Sequence, residues 1–180
     1  MYSENTITID GDVMTIYRLG AEIERWPELL PHYRKVDVLW REESADGSRT
    51  RCVAKMSAWR DGIPTSWMCH QERLHNEPKV IFRHIGGFTR GMQVAWVFDE
   101  NADGTVTVRI IHEFSKGWPP AAFDRFVSEK IVGQFFIDNI AGKTLAMIKL
   151  LAESDRMAHA GVPMLGADDL DREFSNQSSI

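Results

Sequence analysis

Trp26-Pro27-Glu28-Leu29-Leu30-Pro31-His32-Tyr33 is the stretch that decides how this chain is built. Trp26-Pro27 either ends the preceding helix or starts a short second one, and Pro31 stops it, so the block closes a helical region. The residues on either side of it follow different periods. Upstream, Thr6-Ile7-Thr8-Ile9 alternates like a half-buried strand. Asp10-Gly11-Asp12 then offers a cap, and Val13, Ile16, Tyr17 and Gly20 fall at helical spacing up to Ile23.

Downstream, from Val36, the period is two. Val36, Val38 and Trp40 alternate with Asp37 and Arg41, and Thr50, Cys52, Ala54, Met56 and Ala58 alternate with Arg49, Arg51 and Lys55. Asp61-Gly62 is a hairpin signal that returns the chain through Ile63 to Leu74. Val80-Ile81-Phe82 is a further strand; Gly86-Gly87 turns, Met92 to Phe98 runs back, and Ala102-Asp103-Gly104 leads into Val106 to Phe114. With the first, that makes seven strands, mostly antiparallel by their short connections. After Pro119-Pro120 the period becomes helical to about Glu153, through Phe123, Val127, Ile131, Phe135, Ala141, Leu145, Ile148 and Ala152. Such a helix is roughly 50 Å long. Gly133 and Gly142 cost it about 1 kcal/mol each relative to alanine, for which the return is space for a strand or a ligand. A helix this apolar needs a sheet curved around it, and that arrangement leaves a pocket between them.

Composition bounds the function. The chain has 180 residues, enough for one domain with a real core, and 43% hydrophobic residues, ordinary for a soluble protein. No apolar run approaches the roughly 20 residues of a membrane span, and Met1 to Asp10 lacks the pattern of a signal peptide, so the expected location is cytoplasmic. From Glu153 onward six acids face two bases, which puts −4 of the net −5 in that segment. The remaining body is near neutral and has no basic stripe, which argues against nucleic acid as a partner. The expected division is a folded domain over 1–154 and an acidic, irregular tail over 155–180. Cys52 and Cys69 read as buried thiols. The six histidines contain no HxH or HxxxH pair, and there is no nucleophile elbow, phosphate loop or dinucleotide motif, so neither a metal nor a cofactor is expected.

The order β-α-α-β6-α with WPELLP after the first helix resembles the α+β helix-grip fold of the START-like (SRPBCC, Bet v 1-like) superfamily: a curved seven-stranded antiparallel sheet around a long C-terminal helix, with two short helices near the N-terminus. Within it the chain resembles the polyketide cyclase/dehydrase group, which includes aromatase/cyclases of bacterial polyketide biosynthesis. The markers are Ile23 to Pro31, Thr65-Ser66-Trp67, Gly91-Met92 through Trp96, and Ile111-His112-Glu113-Phe114. The resemblance spans about Asn5 to Glu153. It implies a hydrophobic, oxygenated poly-ketone substrate, folded in an internal cavity and carried through aldol cyclisation and dehydration without a cofactor. It also implies delivery by an acyl carrier protein. The Arg90 turn could meet that carrier, although a solvated hairpin is the plainer reading; a homodimer is compatible with all of this. The group's seventh-strand histidine falls on His112, its fourth-strand arginine on Gln71 and its helix carboxylate near Thr144.

The residues themselves point the same way. Val106, Val108, Ile110 and His112 share the apolar strand face, which sends Arg109 to solvent. His112 is the candidate catalytic group, a neutral imidazole able to act as base and then acid, or else a core histidine bonded to a carbonyl. Gln71, Trp67, Trp96, Tyr33, His84 and Thr144 are the candidate substrate-binding residues. Gln71 would hold a carbonyl oxygen, and Trp67 and Trp96 would wall the cavity, with Gly142 and Thr144 opposite His112. Arg73 reads as a solvated strand-end cation. The expected cavity is a few hundred Å3. The alternative function is a lipid- or quinone-type carrier that uses the same cavity without chemistry.

Overall fold

The computed structural model describes residues 2–114, apart from 61 and 88, and residues 138–159. The elements run β1 (Tyr2–Asp10), α1 (Val13–Ala21), a 3₁₀ turn (Ile23–Arg25), α2 (Trp26–Leu29), β2 (Tyr33–Glu43), β3 (Arg49–Arg60), β4 (Ile63–Leu74), β5 (Lys79–Gly87), β6 (Met92–Glu100), β7 (Thr105–Phe114) and α3 (Asp138–His159). The seven strands form one antiparallel sheet in the order β1-β7-β6-β5-β4-β3-β2. β2 through β7 is a meander of hairpins, while the first strand pairs with the last, Ile7 opposite Val108 and Ile9 opposite Val106.

The WPELLP stretch explains the crossing from β1 to β2. Asp12 caps α1 by accepting from the Thr15 amide at 2.7 Å. Pro27 sits in the first turn of α2, and the Leu30 amide donates to the Trp26 carbonyl at 2.7 Å before the chain extends. The Trp26 indole donates to the Leu19 carbonyl at 2.9 Å, and its ring packs 4.7 Å from Tyr33 and 5.8 Å from Trp96. With Trp26 3% exposed, its truncation to alanine costs about 3–5 kcal/mol.

The period-two reading fits β3 to β7, whose inner residues Ala54, Met56, Cys69, Val80, Phe82, Val94, Trp96, Val108 and Ile110 are all buried. It fails at β2. Val36 and Val38 pair with Met56 and Ala54, but a register shift between Val38 and Trp40 sets Trp40 opposite Val53. Leu39 is the extra residue of a bulge, and Trp40 turns to the outer face, 47% exposed, rather than sharing the face of Val36 and Val38.

The part of the expected helix before Asp138 lies outside the described residues. The helix runs on past Glu153 to His159, because its last turns are fastened to β1. Lys149 donates to the Thr8 carbonyl at 2.7 Å, the Asp10 amide donates to Glu153 at 3.1 Å, and Arg156 pairs with Asp10. Gly142 does not face the sheet: among the described residues, a Cβ there meets nothing within 4 Å. Among the described helix positions, 140, 141, 144, 145, 148 and 152 are the buried ones. No described helix is long and apolar enough to cross a membrane.

Candidate functional site

Between the inner face of the sheet and the first turns of α3 lies a cavity of about 60 Å3. Strands β4 to β7 and α3 bring Trp67, His84, Met92, Trp96, His112 and Thr144 to it, with Trp26, Tyr33, Met56 and Phe82 closing its walls. The volume is room for a few water molecules and falls short of the few hundred Å3 expected. The concave face is filled by its own aromatic rings and by two methionines.

Polar atoms in this lining are few, and none of the described lining residues carries a formal charge. His112 is 6% exposed, and burial pushes its pKa down to about 4, so its imidazole is neutral at ordinary pH. Its Nδ1 is buried without a hydrogen-bond partner among the described residues. Arg109, three positions earlier on the strand's other face, reaches solvent and pairs with Asp99 at 2.8 Å, which fixes the register as read.

His84 lies on β5 beside Trp67, the two rings parallel within 2° and 6.0 Å apart. Gly87 makes this possible. Its φ is +83°, and a Cβ there would come 2.7 Å from the Ser66 carbonyl oxygen, so β5 can approach β4 this closely only at a glycine. His84 Nδ1 meets Thr89 Oγ1 at 2.6 Å. Burial, and then the nearby His112 ring, push its pKa down to about 3.

Thr144 is fully engaged. Its hydroxyl donates to the Ile140 carbonyl at 2.7 Å, so the His32 Nε2, 2.9 Å away, must be the donor to it. Burial, and then the Lys143 ammonium, push the His32 pKa down to about 4, which keeps that ring neutral too. Burial pushes the Tyr33 phenol up from its ordinary value. His32 sits behind Thr144 and was not singled out in the sequence. Its only signal was its place between Pro31 and Tyr33 at the entry to β2.

Two residues stand elsewhere than expected. Gln71 does not line the cavity. Its amide donates to the Ala21 carbonyl at 2.8 Å, and its oxygen accepts from Arg73 at 2.8 Å and from Cys52 at 3.3 Å, so it is tied into the packing of α1. Arg73 is not solvated: it is 7% exposed and reaches Glu24 at 2.6 Å. Both belong to the far end of the same face, where α1 docks. Gly142 is likewise absent from the lining; Ala141 and Thr144 are the helix residues there. Among the described residues no cluster of histidine, cysteine or carboxylate could hold a metal.

The family model described as "Polyketide cyclase / dehydrase and lipid transport" matches residues 9–138, more than two thirds of the chain. The chain belongs to this family. A provisionally named polyketide cyclase of Streptomyces cyaneus is 32% identical over 108 residues, covering 58% of this chain and 66% of that protein, so this chain matches just under two thirds of that relative's length. The aromatase/cyclase Zhui from Streptomyces sp. R1128 superposes with a TM-score of 0.69 at 15% identity, covering 91% of this chain and 99% of Zhui. A START superfamily protein from Mycobacterium smegmatis superposes with a TM-score of 0.55 at 12% identity, covering 83% and 98%. At these identities the two structures speak to the fold. This member of the polyketide cyclase/dehydrase family thus has the helix-grip architecture expected from its sequence, with the seventh-strand histidine inside it.

Proposed function

We propose that this protein binds an uncharged, oxygenated hydrophobic substrate of the poly-ketone class in its cavity and promotes aldol cyclisation and dehydration, with His112 moving the proton. The observation that carries the reading is the Nδ1 of His112, buried without a hydrogen-bond partner among the described residues. Leaving a buried polar atom unsatisfied costs about 1–3 kcal/mol, a cost that a histidine kept only for packing would avoid with one carbonyl partner. A neutral imidazole can take a proton from a carbon between two carbonyls and return it to a departing hydroxyl. Apolar walls fix the register of the chain. Membership of the family supports the same chemistry, and so does the aromatic lining.

A substrate of that size needs more than 60 Å3. Met56 and Met92, with three rotatable bonds each, are the walls best able to give way. A purified protein that converts a synthetic linear triketone to cyclised, dehydrated product, and loses this with His112→Gln while still binding the triketone, bears the reading out. Unchanged turnover in the variant ends it.

The scarcity of polar groups in the lining favours a second reading, a lipid- or quinone-type carrier. Native mass spectrometry of freshly purified protein separates the two: a co-purified apolar ligand released unchanged supports the carrier, and an empty protein that converts the triketone supports the enzyme. Delivery by an acyl carrier protein would show as faster conversion of the carrier-bound triketone than of the free one.

A further inference from the structure

A cavity that carries out enolate chemistry needs a donor for the carbonyl oxygen as well as a base, and the position that resemblance gives to an arginine is taken by Gln71, whose amide is consumed elsewhere. His84 supplies what is missing. Thr89 is 0% exposed, and its hydroxyl has one side-chain partner among the described residues, His84 Nδ1 at 2.6 Å. If Nδ1 carried the proton, the Thr89 O–H, itself 0% exposed, would be left with no acceptor among the described residues. The arrangement that satisfies both has Thr89 donating to Nδ1, which puts the imidazole proton on Nε2. Nε2–H is then the polar group that His84 can offer to the cavity it lines. The parallel Trp67 ring and the close β4–β5 approach at Gly87 hold the imidazole plane.

We infer that His84, oriented by Thr89, is the carbonyl-polarising donor of this cavity: a neutral imidazole whose Nε2–H hydrogen-bonds the ketone oxygen of an uncharged substrate. A neutral imidazole in this electrophilic role has precedent in unrelated enzymes. The inference rests on the reading of His112 as the base. In the step, His112 takes the proton from the α-carbon. The C–H electron pair becomes the C=C bond of the enolate, and the carbonyl π pair moves onto oxygen, which His84 Nε2–H stabilises. In dehydration the pair returns to expel the β-hydroxyl, which leaves as water with the proton held on His112. Thr89 is a positioning residue, since it acts only through His84. A donor without charge also sets the substrate class, because it offers a ketone a hydrogen bond and gives a carboxylate no counter-ion.

The test uses 2-acetylnaphthalene, a neutral aromatic ketone labelled with ¹³C at the carbonyl, and the full-length protein labelled with ¹⁵N at histidine. Long-range ¹H–¹⁵N correlation should find the proton of His84 on Nε2 in the wild type, and a mixture of tautomers in Thr89→Val with the His112 signals unmoved. The infrared carbonyl stretch of the bound ketone should fall in the wild type and in His112→Gln. It should return toward its value in hydrocarbon solvent in His84→Phe, which keeps a ring beside Trp67, with binding weakened roughly two- to tenfold, the worth of one neutral hydrogen bond. An Nδ1–H tautomer for His84, a lowered stretch that survives His84→Phe, or no binding of the ketone by the wild type each overturns the inference. If the stretch is lowered as expected but the triketone is not turned over, the catalytic reading of His112 fails while the donor role of His84 stands.

Discussion

The inner face of the sheet is built in two ways at its two ends. Where α1 docks, buried polar side chains form a connected network. Gln71 bonds to the Ala21 carbonyl and to Arg73, Arg73 to Glu24, and Glu24 to Arg41. Nearby, His75 takes Tyr17 on one ring nitrogen at 3.2 Å and Thr50 on the other at 2.9 Å. At the end where α3 begins, the lining is aromatic, His112 has a nitrogen with no partner among the described residues, and a cavity remains. The same strands β4 and β5 serve both ends, so the contrast is not one of fold. The α1 end is closed by a connected network, whereas the cavity end combines closed pairs, His32 with Thr144 and His84 with Thr89, with the open nitrogen of His112.

The largest effect expected from this contrast is at His112. His112→Gln should lower triketone turnover by about 10²–10⁴, the usual worth of a positioned acid–base group, and leave the unfolding midpoint nearly unchanged or raised. If it unfolds the protein instead, His112 belongs with the closed set. Next comes Glu24→Gln, measured by urea unfolding. Burial works to raise the Glu24 pKa, but hydrogen bonds from its own backbone amide and from Arg73 outweigh that and hold it below the ordinary value. Neutralising it leaves Arg73 buried without its counter-charge. The loss should be about 2 kcal/mol, less than the 3–5 kcal/mol of fully buried pairs because Glu24 is 32% exposed, and turnover should be unaffected.

The pH dependence comes third. His32, His84 and His112 are held neutral in the fold down to about 4, 3 and 4, whereas the unfolded chain takes up protons near 6.5. The unfolded state therefore binds more protons between those values, and stability, complete above about 6.5, should fall as pH drops toward 4. Urea midpoints across that window should decline less steeply in His84→Gln and in His112→Gln, each by about one proton's share of the slope. An unchanged slope would show that these rings are charged in the fold. The smallest effect is at Gly142. With nothing near its missing Cβ, Gly142→Ala should stabilise the helix by about 0.5–1 kcal/mol without altering ketone binding. A loss of binding would return Gly142 to the cavity wall.

The fold was legible because strand faces and helix stripes follow fixed periods, and the turn signals between them were clear. Trp40 was misread because a period of two cannot register the one extra residue at Leu39 that turns it outward. The candidate site was legible in its faces and less so in its ends. Gln71 lies on the inner face as its alternation implies, but only the docking of α1 determines that it meets the Ala21 carbonyl and no ligand. His84 and His112 could be read as inward-facing, yet the difference between a ring partnered by Thr89 and one with an orphan nitrogen depends on the turn after β5, which has no period. The volume of the cavity depends on how the rotamers of five aromatic rings and two methionines mesh, and the sequence pattern does not encode that.

The pairing of β1 with β7 has a consequence in time. Residues 2–10 find their partners about a hundred positions later, at 105–113, while the hairpins between β2 and β7 close over short loops. On a ribosome the meander can begin to form as each hairpin emerges, but the first strand made has no edge to join until β7 is out, and no helix to fasten it until Lys149, Glu153 and Arg156 follow. Closing a loop of that length is the entropic step that slows folding, so the opening segment of this chain should be among the last to settle. Until it does, Val106 and Val108 have neither their strand partner nor the helix clamp. A nascent chain of this design is most exposed to misassociation between the emergence of β7 and the docking of β1.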